Sequence, residues 1–216
     1  MANLLEIACF NIESCVIAQK AGAHRIEFCT DYESGGITPS FQEIAKARQL
    51  IKIPLHVIIR FKKDEIKLME EAIWFCNKFK IDGVVFGVLK ENTVDILSCV
   101  KLVELARPMK CTFHRYIDKC THLNESIEQL IDIGFDNVLT SGGKENALEG
   151  IETIAKLQQN YGDKITIIPG GGLRPIIVKE IMEKTLCTTF HSSALDPITK
   201  NANENTIKQL LQIINS

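Results

Sequence analysis

The chain has 216 residues, enough for one large domain or two small ones, with 45% hydrophobic and 24% charged residues. Its 25 basic residues stand against 27 acidic ones, a formal charge of -2. Both signs are scattered, so the basic stripe of a nucleic-acid binder is missing, and there is no low-complexity stretch.

From Met1 the chain runs straight into a strand-like segment with no basic region, so it reads as lacking a signal peptide. Apolar runs such as residues 83–89 are too short to cross a bilayer, and a membrane partner is not expected. The eight cysteines lack paired CxxC spacing, and several fall within predicted strands and helices. They read as reduced thiols in the cytoplasm rather than a disulfide framework.

Eight short runs rich in β-branched and other apolar residues predict strands at residues 4–10, 25–29, 54–60, 83–89, 110–117, 137–142, 164–170 and 188–194. Segments between them, such as 64–80 and 146–161, carry apolar residues at i, i+3, i+4 spacing and predict helices. Ser40-Phe41-Gln42-Glu43 reads as a capping box, and Gly22, Gly134 and Gly162 read as helix ends. Lys62 and Lys63 read as a solvated loop. Eight βα units without a linker predict one closed (β/α)₈ barrel with short loops, a single domain over residues 1–216. An open doubly wound sheet usually needs fewer units and leaves edge strands.

In a barrel, alternate strand residues face the axis and the others pack on helices. With the apolar set outside, the inward set in chain order is Glu6 and Ala8, Glu27 and Cys29, His56 and Arg60, then Thr112 and His114. Thr140, Thr166, Thr189, His191 and Ser193 complete it. Burying such groups unpaired costs several kcal/mol, so they must pair with one another, hold water or hold a ligand. Three histidines, two carboxylates and an arginine from different strands favour a site over a self-satisfied core.

Glu6 and Glu27 on adjacent strands can divide acid and base roles, because close carboxylates push each other's pKa values apart. His114 and His191 can transfer protons, and Arg60 or Arg115 can hold an anion. Gly171 and Gly172 after strand 7, before Arg174-Pro175, suit a phosphate or carboxylate, with hydroxyls from Ser192 and Ser193. Inward lysines in mid-strand are missing, which disfavours Schiff-base chemistry. GxxxxGK[ST], HExxH and GxSxG motifs are absent, and no His/carboxylate spacing makes a zinc site. The ligand such a mouth takes is a small molecule or a metal; whether the chain forms a homo-oligomer is left open.

Seven short motifs at the strand ends follow one another in a recognisable order. They are Leu5-Glu6-Ile7, Arg25-Ile26-Glu27-Phe28-Cys29, Gly35-Gly36-Ile37-Thr38-Pro39-Ser40, Thr112-Phe113-His114-Arg115 with Asp118, Val138-Leu139-Thr140-Ser141-Gly142, Pro169-Gly170-Gly171-Gly172 and Phe190-His191-Ser192-Ser193. Together, over about residues 4–194, they resemble the CutC family of copper-homeostasis proteins. The resemblance implies a TIM barrel, a cytoplasmic location and a role in handling copper(I), with Cys29 and Cys9 as the thiols. Two departures stand out. Family members commonly carry a cysteine after the Glu-Ile/Val pair of strand 1, where this chain has Ala8 followed by Cys9. One step along a strand turns a side chain to the other face, so a Cys9–Cys29 pair needs an irregular strand. The family's long loop after strand 3 is also replaced by Arg60-Phe61-Lys62-Lys63-Asp64, which should leave the mouth more open.

Overall fold

The computed structural model describes residues 3–61 and 65–216. Lys62, Lys63 and Asp64, read above as loop and helix start, lie outside the described residues. In chain order the first half contains β1 (Leu4–Cys9), α1 (Ile12–Ala21), β2 (Arg25–Phe28), α2 (Phe41–Leu50), β3 (Leu55–Ile58), α3 (Ile66–Lys78), β4 (Gly83–Phe86) and α4 (Ile96–Ala106). The second half contains β5 (Lys110–Phe113), α5 (Leu123–Ile133), β6 (Asn137–Thr140), α6 (Ile151–Tyr161), β7 (Thr166–Pro169), α7 (Pro175–Thr185), β8 (Thr189–Ser192) and α8 (Glu204–Ile214).

The strands pair in parallel in the order β8-β1-β2-β3-β4-β5-β6-β7, and β7 lies beside β8 to complete the ring. This is the (β/α)₈ barrel that the eightfold repeat predicts. The alternation holds too. Leu5, Ile7, Ile26, Phe28, Leu55 and Val57 pack in the large core between strands and helices. Ala8, Cys29, Ile58 and Val85 form a separate small cluster inside the ring. Among the described residues, no helix is long and apolar enough to cross a membrane.

Local signals act as read at most element ends. Ser40 and Glu43 exchange both capping-box bonds, with Ser40 N–H donating to Glu43 Oε2 at 2.9 Å and Glu43 N–H to Ser40 Oγ at 3.3 Å. Gly22 and Gly134 end α1 and α5 in the left-handed conformation; Gly162 ends α6 in the right-handed one. All eight strands are shorter than the sequence reading, and three differences are the largest. β5 stops at Phe113, because His114 begins a short 3₁₀ turn over Arg115–Lys119 that brings Asp118 towards β6. α6 starts at Ile151 instead of 146, since residues before it form a turn in which Asn146 Oδ1 accepts from Glu149 N–H at 3.0 Å. After β4 the chain makes a small hairpin, Leu89–Lys90 against Thr93–Val94, turning through Glu91 and Asn92 at positive φ.

Candidate functional site

β1, β2, β3 and β8 bring five titratable groups to the barrel interior. Register places Glu6 level with both Arg25 and His191, and Glu27 level with Ala8 and His56. Glu6 is the hub. Its Oε2 takes the Arg25 Nε–H, its Oε1 lies 2.7 Å from His191 Nδ1, and His56 Nδ1 stands 3.9 Å from Oε2. Burial alone pushes the Glu6 carboxyl up, but Arg25 and the hydrogen bond from His191 outweigh it and hold it below the ordinary carboxylate range. Burial likewise opposes the imidazolium of His191, and the bond to Glu6 with the charge of Glu27 reverses that and raises its pKa.

Glu27 is a different kind of carboxylate. It is buried, its Oε2 is 3.5 Å from His191 Nδ1, and that oxygen has no hydrogen-bond partner. Burial pushes its carboxyl up to about 7, with the Glu6 charge adding to the rise against the pull of His191 and Arg25. His56 also keeps an unpartnered Nδ1; burial first and then Arg25 push it down to about 4, so it is neutral at pH 7. Its ring fits only because position 83 is glycine: a Cβ there would lie 2.5 Å from His56 Nε2. Arg25 escaped the inward reading although it shares the parity of Glu27. Its periodicity signal, i−2 from an inward residue, was present in the sequence.

Above this floor opens a cavity of about 470 Å³ at the C-terminal ends of the strands. Glu27, His114 and His191 line it with Cys29, Ala8 and Ile58, and four cations stand round it: Arg60, Arg115, Lys119 and Lys144. Arg60 is held by the carbonyls of Ser34, Gly35 and Gly36 at 3.0–3.2 Å, and its guanidinium stacks 5.0 Å from the Tyr116 ring centroid. Lys119 Nζ lies 4.5 Å from the same ring. Tyr116, Lys119 and Lys144 were not singled out in the sequence, because their roles depend on the turn after β5 and the loop after β6. Burial, then Arg60, push His114 down to about 3.

The loops after β7 and β8 carry the glycines and serines read in the sequence as an anion-binding set. Gly171, Gly172, Ser192 and Ser193 are not among the described residues lining the cavity. The Arg115 guanidinium lies against Gly171, where a Cβ would come within 2.8 Å of Nη1. Buried Ser192 donates to the Leu173 carbonyl at 2.7 Å and accepts from Ala194 N–H at 3.1 Å. Ser193 Oγ accepts from Arg174 Nη2 at 3.3 Å. These hydroxyls therefore bond within the protein.

The thiols part company across the sheet. β1 is regular through Cys9, which packs with Cys15 in the helix-side core, whereas Cys29 is inside the barrel and donates to the Cys9 carbonyl at 3.3 Å. Burial raises both thiols well above their ordinary range; Cys15 adds for Cys9, and Glu27 for Cys29. One thiol faces the cavity where the resemblance offers two. In their place the fold gathers Glu6, Glu27 and His191, whose ligand atoms all lie within 4.8 Å of one another, a cluster that no linear spacing announces. Arg25 already supplies positive charge there.

Comparison with known proteins follows from this geometry. The CutC family model matches residues 3–196. The chain belongs to the CutC family. It is 38% identical to the family protein CutC of Xanthomonas campestris pv. campestris over 202 residues, covering 90% of this chain and 84% of that protein. CutC of Bacteroides fragilis is also 38% identical, over 208 residues, 92% of this chain and 83% of the relative. Among solved structures, CutC of Streptococcus agalactiae, a protein named for copper homeostasis, superposes with a TM-score of 0.83 at 27% identity, over 88% of this chain and 98% of that one. Phosphoribosyl anthranilate isomerase from Thermotoga maritima, at 13% identity and a TM-score of 0.68 over 99% and 98% of the two chains, shares the barrel fold.

Proposed function

We propose that this CutC-family barrel is an enzyme acting on a small anionic, for example phosphorylated, metabolite by carboxylate/histidine acid–base chemistry. One observation carries the reading. Glu27 keeps an oxygen without a hydrogen-bond partner at the floor of a cavity rimmed by Arg60, Lys119 and Lys144, with Arg115 paired to Asp118, a state that a self-satisfied core would not leave. The cations hold the anionic end of the ligand, and Glu27 and His191, 3.5 Å apart, exchange a proton with it. Unpaired and mostly buried cysteines suit a reducing cytoplasm. The test is the melting temperature against millimolar inorganic phosphate and small carboxylates. A rise in the parent, reduced in Lys119→Ala/Lys144→Ala, is expected; no rise for any anion rejects the reading.

A second reading, copper(I) handling, is favoured by one observation, that Cys29 lines the cavity in a chain whose relatives include a protein named for copper homeostasis. The donor set fits it poorly. Copper(I) prefers two or more soft thiolates, and this cavity offers one thiol, whose deprotonation burial opposes. Weak or sub-stoichiometric binding is therefore expected in competition with a chelator of known affinity. Ala8→Cys, which adds a thiol to the cluster of Cys29 and Ile58, should raise affinity. A tight one-to-one complex lost in Cys9→Ser would overturn the placement of Cys9 on the helix side.

A further inference from the structure

Glu27 and His114 line the same cavity from β2 and from the end of β5, three strands apart in a ring of eight and so on facing walls. The His114 ring is oriented by its own turn: Nδ1 accepts the Tyr116 backbone N–H at 3.5 Å. A neutral imidazole that accepts at Nδ1 carries its proton on Nε2, the nitrogen away from that bond. The cations Arg60 and Lys119 adjoin it and oppose a second proton. Around Glu27 stand Glu6, Arg25 and His191, which hold one another through Glu6 and leave the Glu27 oxygen unpartnered. The cavity thus opposes a proton acceptor to a neutral hydrogen-bond donor, beneath a cationic rim.

Resting on the reading of this cavity as an acid–base site, we infer that the reaction is a proton transfer at the carbon beside the carbonyl of a small phosphate- or carboxylate-bearing carbonyl compound, with Glu27 as base and His114 as electrophile. Glu27 takes the proton from the α-carbon. The C–H electron pair becomes a C=C bond, the carbonyl π pair moves to oxygen, and His114 Nε2–H donates to that oxygen as its charge grows. The protonated Glu27, after exchange with solvent, then returns a proton to the same carbon while the electron pair on oxygen re-forms the carbonyl, so the step is redox-neutral and needs no co-reactant. Separated environments for the two groups serve this chemistry. Glu27 has an oxygen with no hydrogen-bond partner, and the His114 ring is fixed as an Nε2 donor by the backbone bond at its other nitrogen.

The experiment incubates the full chain in D₂O with dihydroxyacetone phosphate, glyceraldehyde 3-phosphate, pyruvate and 2-oxoglutarate. Proton NMR follows α-deuteration, and calorimetry measures binding of each compound. Protein-dependent α-deuteration of at least one bound compound is expected. Glu27→Gln should slow it by about 10²–10⁴-fold with binding changed less than about threefold, and His114→Gln should slow it too. If compounds bind but none is deuterated, this inference fails while the anion-site reading stands. If none binds, the anion-site reading fails and this inference with it. Deuteration that survives Glu27→Gln unchanged removes Glu27 as the base.

Discussion

Asp118 and Glu27 are both half- or fully buried carboxylates that line one cavity, yet their surroundings differ in kind. Asp118 accepts from Thr140 Oγ–H, Ser141 N–H and Oγ–H, Gly143 N–H and Arg115 Nε–H, at 2.6–3.0 Å. Its lone pairs are spent on pinning the β5 turn to the loop after β6. Glu27 shares its wall with Glu6, Arg25 and His191, and one of its oxygens has no partner. A saturated carboxylate holds a loop; an unsaturated one with a raised pKa holds chemistry in reserve. Asp118 and Thr140-Ser141-Gly142 therefore meet in a structural corner, while Glu6, Glu27 and His191 of β1, β2 and β8 meet at the reactive floor.

Substitutions can break or sharpen that contrast. The largest effect is expected from Glu6→Gln, which strands the buried Arg25 cation and weakens the seat of His191. Breaking a buried pair costs about 3–5 kcal/mol, to be read as a lowered urea midpoint. Next, Asp118→Ala leaves the Thr140, Ser141 and Gly143 donors without their acceptor, a loss of about 3 kcal/mol by the same measurement. An unchanged midpoint would remove Asp118 from the structural corner.

Glu27→Gln should act with the opposite sign. Its carboxyl is raised from 4.5 to about 7, so the folded chain holds that proton more tightly than the unfolded chain does. The stability this contributes is complete below about pH 4.5 and is lost as pH rises through about 7. At about 1.4 kcal/mol per pH unit, the rise from 4.5 to about 7 makes the ionised group cost at most about 3.5 kcal/mol. The variant should match its parent near pH 4.5 and exceed it at pH 8 in parallel denaturation curves. A deficit at pH 8 would place Glu27 in the same class as Asp118. The smallest effect belongs to Ser193→Ala, which loses one 3.3 Å contact to Arg174 and should shift the midpoint by less than about 0.5 kcal/mol.

Much of this molecule was legible before any coordinates. Strand and helix periods are local, so eight repeats, the capping box at Ser40 and the inward parity of Glu6, Glu27, His56, His114 and His191 could be read from order alone. Parity likewise sent Cys9 towards the helices, and the regular β1 keeps it there. What parity cannot carry is which inward groups bond to which, because register between strands and the reach of side chains are set by closure of the ring. Only the folded barrel decided that Arg25 serves Glu6, leaving Glu27 Oε2 without a hydrogen bond, 3.5 Å from His191 Nδ1. Only tertiary packing laid Arg115 against Gly171, turned the hydroxyls of Ser192 and Ser193 to protein partners, and set Lys119 and Lys144 beside Arg60 at the cavity rim. Composition and period determine which face of a strand a residue occupies; the charge that stays unsatisfied is decided by three-dimensional neighbours contributed from across the chain.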